Sequence, residues 1–166
     1  MTIWAFRGRH ALLRVRRALW RELIGELGRR GRGERESAAF LLGQRGGDHR
    51  TVTRVVYLDD LDPGCLTGGI TFDGLAYSKL WDICDVENLR VIGDIHTHPG
   101  RGVHQSRIDA ENPMLASNGH VALIVPAFAT RPIEAQEVGV HRYDRSGWTT
   151  WTDDNAAQRL FIRRLL

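Results

Sequence analysis

Apolar positions along the chain follow two spacings. Between residues 12 and 28, Leu12, Leu19, Leu23 and Leu27 recur near one helical face, flanked by Leu13, Val15, Trp20 and Ile24. Arginines take most of the remaining positions, so this stretch predicts an amphipathic helix. Gly28 and the run Arg29-Arg30-Gly31-Arg32-Gly33 close it as a polar loop. The spacing then shortens. Residues 37–43 form an apolar run read as a buried strand, 44–48 a turn, and 51–58 a β-branched strand, together a hairpin. Residues 59–71 are rich in turn formers and predict a loop. Helical spacing returns over 72–86, with Leu75, Leu80, Trp81 and Ile83 available to a core.

The second half of the chain reads mainly as strands. Residues 90–95 predict a central strand, and 109–117 a short helix started after Ser106. Residues 120–126 are another buried strand. Residues 136–143 and 148–152 predict a closing hairpin around Asp144-Arg145-Ser146-Gly147, and 153–166 a last helix capped by Asp153 or Asp154. There is no internal repeat. The order predicts one α+β domain over residues 1–166, layered α/β/α on a mixed sheet.

Composition narrows the class. Hydrophobic residues are 42% and charged residues 26% of the 166, which excludes a disordered chain, a collagen-like chain and a small disulfide scaffold. No run of about 18 apolar residues exists to cross a membrane. Arg7 and Arg9 have no apolar segment behind them, so the reading is a cytoplasmic protein without a signal peptide. Cys65 and Cys84 match no metal or redox spacing and read as free thiols. The net charge of +3 is uneven. Residues 1–35 hold ten arginines against Glu22, Glu26 and Glu34, and the rest of the chain is net acidic. Either this basic N-terminal stretch is a solvated helix face, or it meets an acidic protein or a nucleic-acid backbone.

The candidate chemistry lies at the end of the central strand, in Gly93-Asp94-Ile95-His96-Thr97-His98-Pro99. Alternate side chains of a strand point the same way, so His96 and His98 can share a metal ion. Ser106 at a helix start and Asp109 one turn later can face one point. Two imidazoles and a carboxylate are a common catalytic zinc set that leaves a fourth position for water. Such a site needs a general base, and Glu36, just before the apolar strand, is the candidate.

Glu36, followed seven residues later by Gly43, resembles the first half of the JAMM motif. His96-x-His98-Pro99, then seven residues after His98 to Ser106, and two more to Asp109, resembles the second half. Ile70-Thr71-Phe72-Asp73 is also similar to its counterpart in bacterial members. The likeness is to the JAB/MPN domain family of zinc metalloproteases and covers about residues 10–145. It departs at Thr97, where serine is commoner, and at Gln105, where proline is common.

The resemblance implies a curved, mostly antiparallel sheet flanked by helices, as in the cytidine deaminase-like folds. It implies one zinc ion per chain on His96, His98 and Asp109, with Glu36 as general base and then acid. Ser106 would hydrogen-bond the oxyanion. The implied activity is an isopeptidase or peptidase cutting after the C-terminal glycine of a ubiquitin-like protein, from precursors or conjugates. Partners would include activating and conjugating enzymes of a bacterial ubiquitination-like or anti-phage operon. Neither a membrane nor nucleic acid would be a partner. Gly64, Gly68 and Gly69 in the loop before the second helix would flank the substrate tail, with Thr97 and His104 as further substrate contacts. The rival readings are a JAB peptidase of sulfur-carrier or cysteine metabolism, a non-catalytic MPN scaffold, and a nucleic-acid-associated module. Retention of all five motif residues argues against the scaffold.

Overall fold

The computed structural model describes residues 9–66, 70 and 72–163. Strand β1 (Leu13–Arg16) runs directly into helix α1 (Arg17–Gly31). Strands β2 (Ala38–Gln44) and β3 (Arg54–Tyr57) form the predicted hairpin. Helix α2 (Leu58–Leu61) is a single turn and α3 (Gly74–Val86) the second long helix. Strand β4 (Leu89–Thr97), helix α4 (Arg107–Glu111) and strand β5 (Val121–Val125) follow. The hairpin of β6 (Gly139–Asp144) and β7 (Gly147–Trp151) leads to helix α5 (Asp153–Arg159) and strand β8 (Leu160–Arg163).

The main sheet has the order β3-β2-β4-β5-β6-β7, antiparallel except where β4 pairs β5. It is the predicted α+β fold on a curved, mostly antiparallel sheet. Alternation along the strands divides the apolar residues between two faces. On one face Ala39, Leu41, Ile95, Leu123, Val125 and Val140 meet Leu23, Ile24 and Leu27 of α1. On the other, Ala38, Phe40, Leu42 and Val56 meet Leu58 and Leu61 of α2 and Ala76, Leu80 and Cys84 of α3. Cys65 and Cys84 are buried free thiols, and burial pushes the Cys65 thiol up to about 11.

Helix α1 starts later than its apolar spacing predicts. Leu13 and Val15 are buried between half-buried Arg14 and exposed Arg16, a two-residue alternation. The segment is extended because β8 lies parallel beside it, with Leu13 opposite Leu160 and Val15 opposite Ile162. The same pairing corrects the last helix, which ends at Arg159. Its N-cap is Thr152, and Asp153 takes φ 55° inside the helix. Both errors share a cause: each strand's partner lies at the far end of the chain. The short helix after Ser106 covers 107–111 rather than 109–117, and Pro113 follows its end.

Within the basic N-terminal stretch, several arginines find acids inside the fold. Arg30 reaches Asp59 and Asp60, both at 2.7 Å, and stands over the Tyr57 ring at 4.1 Å, tying α1 to α2. Arg14 meets Asp48 and Arg17 meets Glu134.

Residues Ala127, Phe128 and Ala129 all take left-handed backbone angles, with φ of 54°, 49° and 55°. This costly turn lies directly under α1. A β-carbon at Gly28 would stand 2.4 Å from the Ala129 carbonyl oxygen, so the helix approaches only because residue 28 has none. Gly28→Ala should therefore destabilise the protein by about 1–3 kcal/mol. Gly25→Ala, on the same helix with nothing within 4 Å, should stabilise it by about 0.5–1 kcal/mol. Thermal unfolding of the two variants checks both signs.

Candidate metal centre

Strand β4 ends the central pairing with three consecutive residues of different fate. His96 and Thr97 are buried, and His98 lies at the rim, half-buried. The pleat sends His96 and His98 to the α3 face and Thr97 to the other. The imidazoles converge, with their Nε2 atoms 3.1 Å apart. Asp109 arrives from α4 and sets Oδ2 3.7 Å from His96 Nε2 and 3.4 Å from His98 Nε2. Bonds of about 2.0–2.1 Å from a tetrahedral zinc ion place two ligand atoms about 3.3–3.4 Å apart. The three separations bracket that edge, so the donor set fits such an ion in type and spacing. Among the described residues this is the one cluster of metal-binding side chains.

The ligands are oriented by neighbours. His98 Nδ1 lies 3.2 Å from the Gly102 carbonyl oxygen, which only accepts. Nδ1 therefore carries the hydrogen, and Nε2 keeps its lone pair for a metal. The Ser106-x-x-Asp109 spacing is a capping box. The Asp109 N–H donates to Ser106 Oγ at 3.2 Å, and the Ser106 N–H donates to Asp109 Oδ2 at 2.8 Å. The helix start thus aims the very oxygen that faces the imidazoles. Burial pulls the Asp109 carboxyl upward in pKa, but hydrogen bonds from His96 and His98, made when their Nε2 atoms carry a proton in place of a metal, and from Ser106 prevail and hold it far below its usual range. Its hydrogen bond to His98 raises that imidazole above its ordinary value, against burial and with help from the Glu36 charge.

Glu36 precedes β2 and lines the same cleft, a volume of about 1030 Å³ walled by His96, His98, Ser106 and Asp109 and by apolar Phe72, Tyr77 and Met114. Ser37 fixes its approach. The Ser37 N–H donates to Thr97 Oγ1 at 3.0 Å, the Thr97 N–H donates to Ser37 O at 3.0 Å, and Ser37 Oγ donates to Leu27 O. Thr97 is therefore not placed to touch a substrate in the cleft. It is fully buried and fastens the residue beside Glu36 to the segment between the two histidines. His104 stands exposed in the loop and is not part of the cleft wall. Gly64 is exposed in a turn where Asp62 Oδ1 accepts its N–H, and Gly68 and Gly69 lie outside the described residues.

Three polar features had no signal in the motif. Asp94, two residues before His96 on the same face, lines the cleft and is hydrogen-bonded to the buried His120. Trp148 Nε1 donates to the Ala110 carbonyl at 3.0 Å and so ties α4 to β7. His141 is fully buried in β6 across the sheet from Asp94, with Ala122 between them. Burial, assisted by the charges of His96, His104 and His98, pushes the His141 imidazole down to about 4, against the pull of the Val103 carbonyl. The alternation of strands that locates such residues on one face becomes readable only once the register is known.

No protein-family model matches the chain. A stretch of 61 residues is 34% identical to a probable metalloprotease of Sinorhizobium fredii; it makes up 36% of this chain and 37% of that protein. The chain thus matches little more than a third of the length of this curated relative. Among solved structures, the chain is similar to a protein from Desulfitobacterium hafniense, at 19% identity over 93% of this chain and 94% of that one, with a TM-score of 0.63. It is also similar to one from Salinibacter ruber, at 16% identity over 85% and 90%, with a TM-score of 0.57. These two likenesses establish the fold. A JAB1/MPN domain protein from Archaeoglobus fulgidus aligns over 92% of this chain and 97% of its own, at 14% identity and a TM-score of 0.44.

Two outcomes follow from the polar contacts. Thr97→Val keeps the shape and leaves the buried Ser37 N–H without its acceptor, which should cost about 1–3 kcal/mol in thermal unfolding, while Thr97→Ser restores most of it. Stability should also fall as pH drops from 6.5 toward 4. In that window the unfolded chain protonates residue 141 and the folded protein does not, a contribution of up to about 3 kcal/mol that is complete above 6.5. Denaturant unfolding between pH 4 and 7.5 should show this slope in the wild type and its loss in His141→Gln.

Proposed function

We propose that the protein is a zinc-dependent peptidase of the JAB/MPN type, cleaving after the C-terminal glycine of a ubiquitin-like protein in a precursor or a conjugate. One observation carries the reading. His96 Nε2, His98 Nε2 and Asp109 Oδ2 converge at the edge lengths of a zinc tetrahedron, inside a cleft that Glu36 also lines. The metalloprotease stretch in Sinorhizobium fredii supports a peptidase. The Glu36 and His-x-His-x7-Ser-x2-Asp spacing supports the JAB/MPN assignment.

A zinc ion bound to this set would supply a water of lowered pKa, toward about 7, and polarisation of a carbonyl oxygen. His96, His98 and Asp109 would hold the ion, and the Gly102 carbonyl and the Ser106 N–H keep two of those side chains in orientation. Glu36 accepts the proton of the attacking water at its carboxylate. It then delivers that proton to the nitrogen of the departing amine, so the amide C–N bond breaks to a carboxylic acid and an amine with no net proton left on the enzyme. The Ser106 hydroxyl accepts from the Asp109 N–H, and its own hydrogen is free to meet the carbonyl oxygen as negative charge grows there.

A glycine-ended tail suits this chemistry because it brings no side chains to the attacked bond. The turn around Gly64, between β3 and α3, is the segment we assign to flanking such a tail, through backbone hydrogen bonds. A bacterial ubiquitination-like or anti-phage operon, with its activating and conjugating enzymes, is the setting we assign to it.

The test fuses a ubiquitin-like protein through its C-terminal glycine to a reporter. Zinc-loaded wild type should release the reporter at that glycine, and chelator should abolish release. Glu36→Gln should keep its zinc and lose activity by about 100-fold or more. A folded, zinc-loaded wild type that leaves every such fusion intact would overturn the substrate assignment. Undiminished cleavage by Glu36→Gln would overturn the role of Glu36.

A further inference from the structure

The segment from His98 to Asp109 carries two of the three metal ligands, and it has no regular structure before Ser106. Its course is set from outside. At its start, the His98 N–H donates to Val125 O, the Phe128 N–H donates to His98 O, and the Ala127 N–H donates to Gly100 O. At its end, Trp148 holds the Ala110 carbonyl. In its middle the His98 ring itself takes the Gly102 carbonyl, and the next carbonyl, that of Val103, is held from another strand by His141, whose Nε2 lies 2.9 Å from it.

The polarity of that contact is fixed by its partners. A carbonyl oxygen only accepts, so Nε2 carries the hydrogen. Nδ1 lies 2.9 Å from Thr150 Oγ1 and accepts from the hydroxyl, since the neutral ring has one donor and one acceptor. Burial keeps the ring neutral, with its pKa pushed down to about 4. The backbone beside it is cut to fit. Gly139, the next residue on the same face of β6, would with a β-carbon stand 2.0 Å from Val103 O and 2.8 Å from His141 Nε2. The loop reaches the imidazole because residue 139 has no side chain.

We propose that His141 is a positioning residue for the metal centre: its Nε2–H, donated to Val103 O, fixes the loop that joins His98 to Asp109 and so holds these two ligands at binding distance. The proposal rests on the reading of His96, His98 and Asp109 as metal ligands. A histidine that merely fills the core would change the melting temperature and leave the metal affinity of the folded protein untouched.

The experiment measures zinc affinity by competition with a chromophoric chelator, at a temperature where the metal-free form of each variant is folded. Metal-free melting curves are recorded alongside. His141→Leu fills the space without a donor and should weaken zinc binding by about 10–100-fold. His141→Gln places an amide N–H near the Nε2 position and should stay within about threefold of wild type, because the donor is what matters. Thr150→Val leaves the ring in place, removes the hydroxyl that orients it, and should weaken zinc by about three- to tenfold, which keeps the proposal testable if His141→Leu fails to fold. Wild-type affinity in a folded Leu variant or in Thr150→Val, or equal losses in Gln and Leu, would overturn the proposal. A wild type that binds no zinc, and is indistinguishable from Asp109→Ala, would instead overturn the metal reading itself, and this proposal with it.

Discussion

The reciprocal hydrogen bonding of Ser106 and Asp109 joins the fold to its chemistry. A five-residue helix is too short to hold a geometry by itself. Here its first turn is locked twice, and one of the two bonds ends on the carboxylate oxygen that faces the imidazoles. The serine is therefore needed for the shape of the site before any part it takes in the reaction. The spacing of two residues between Ser106 and Asp109 is that of a helix N-terminus. The spacing of one between His96 and His98 is that of a strand. The metal set is built where these two backbone periods meet.

The chemistry was more legible in the sequence than the architecture around it. His96, His98 and Asp109 converge because strand and helix periods fix local directions, and local directions can be read from spacing. Glu36 is different. Its place beside them depends on β2 pairing antiparallel to β4, with Ala38 opposite His96. No local rule supplies that register, and the JAMM resemblance stands in for it. Thr97 shows the limit of proximity as a guide. It sits between two ligands, yet the pleat turns it into the core, where it ties strand to strand. The helix expected from residue 12 and the helix expected to reach 166 failed for another reason. Leu13, Val15, Leu160 and Ile162 satisfy helical and extended patterns alike, and only the meeting of the chain's two ends decides between them.

Polar groups on the cleft face of the sheet are arranged across it rather than along it. Phe40, Asp94, Ala122, His141 and Thr150 are successive partners on five strands. An aromatic ring, a carboxylate, a methyl group, an imidazole and a hydroxyl thus form one transverse row. Each polar member finds a partner: Asp94 in His120, and His141 in Thr150 and Val103. Buried polar groups satisfied in this way specify a unique arrangement, because any slip in register would leave several unpaired at once.

The parallel pair β1 and β8 bears on how the protein reaches this state. Leu13 and Val15 emerge from the ribosome well before Leu160 and Ile162, the residues they face. Until then the edge of β1 that faces Leu160 and Ile162 is unpaired, while its other edge meets residues 50–52 and α1 already has the central sheet to lie against. The central sheet can assemble earlier from neighbours in sequence, but this seam closes only when β8 has been made. The contact between β1 and β8, with a sequence separation of nearly the whole described chain, is therefore among the last that synthesis makes possible.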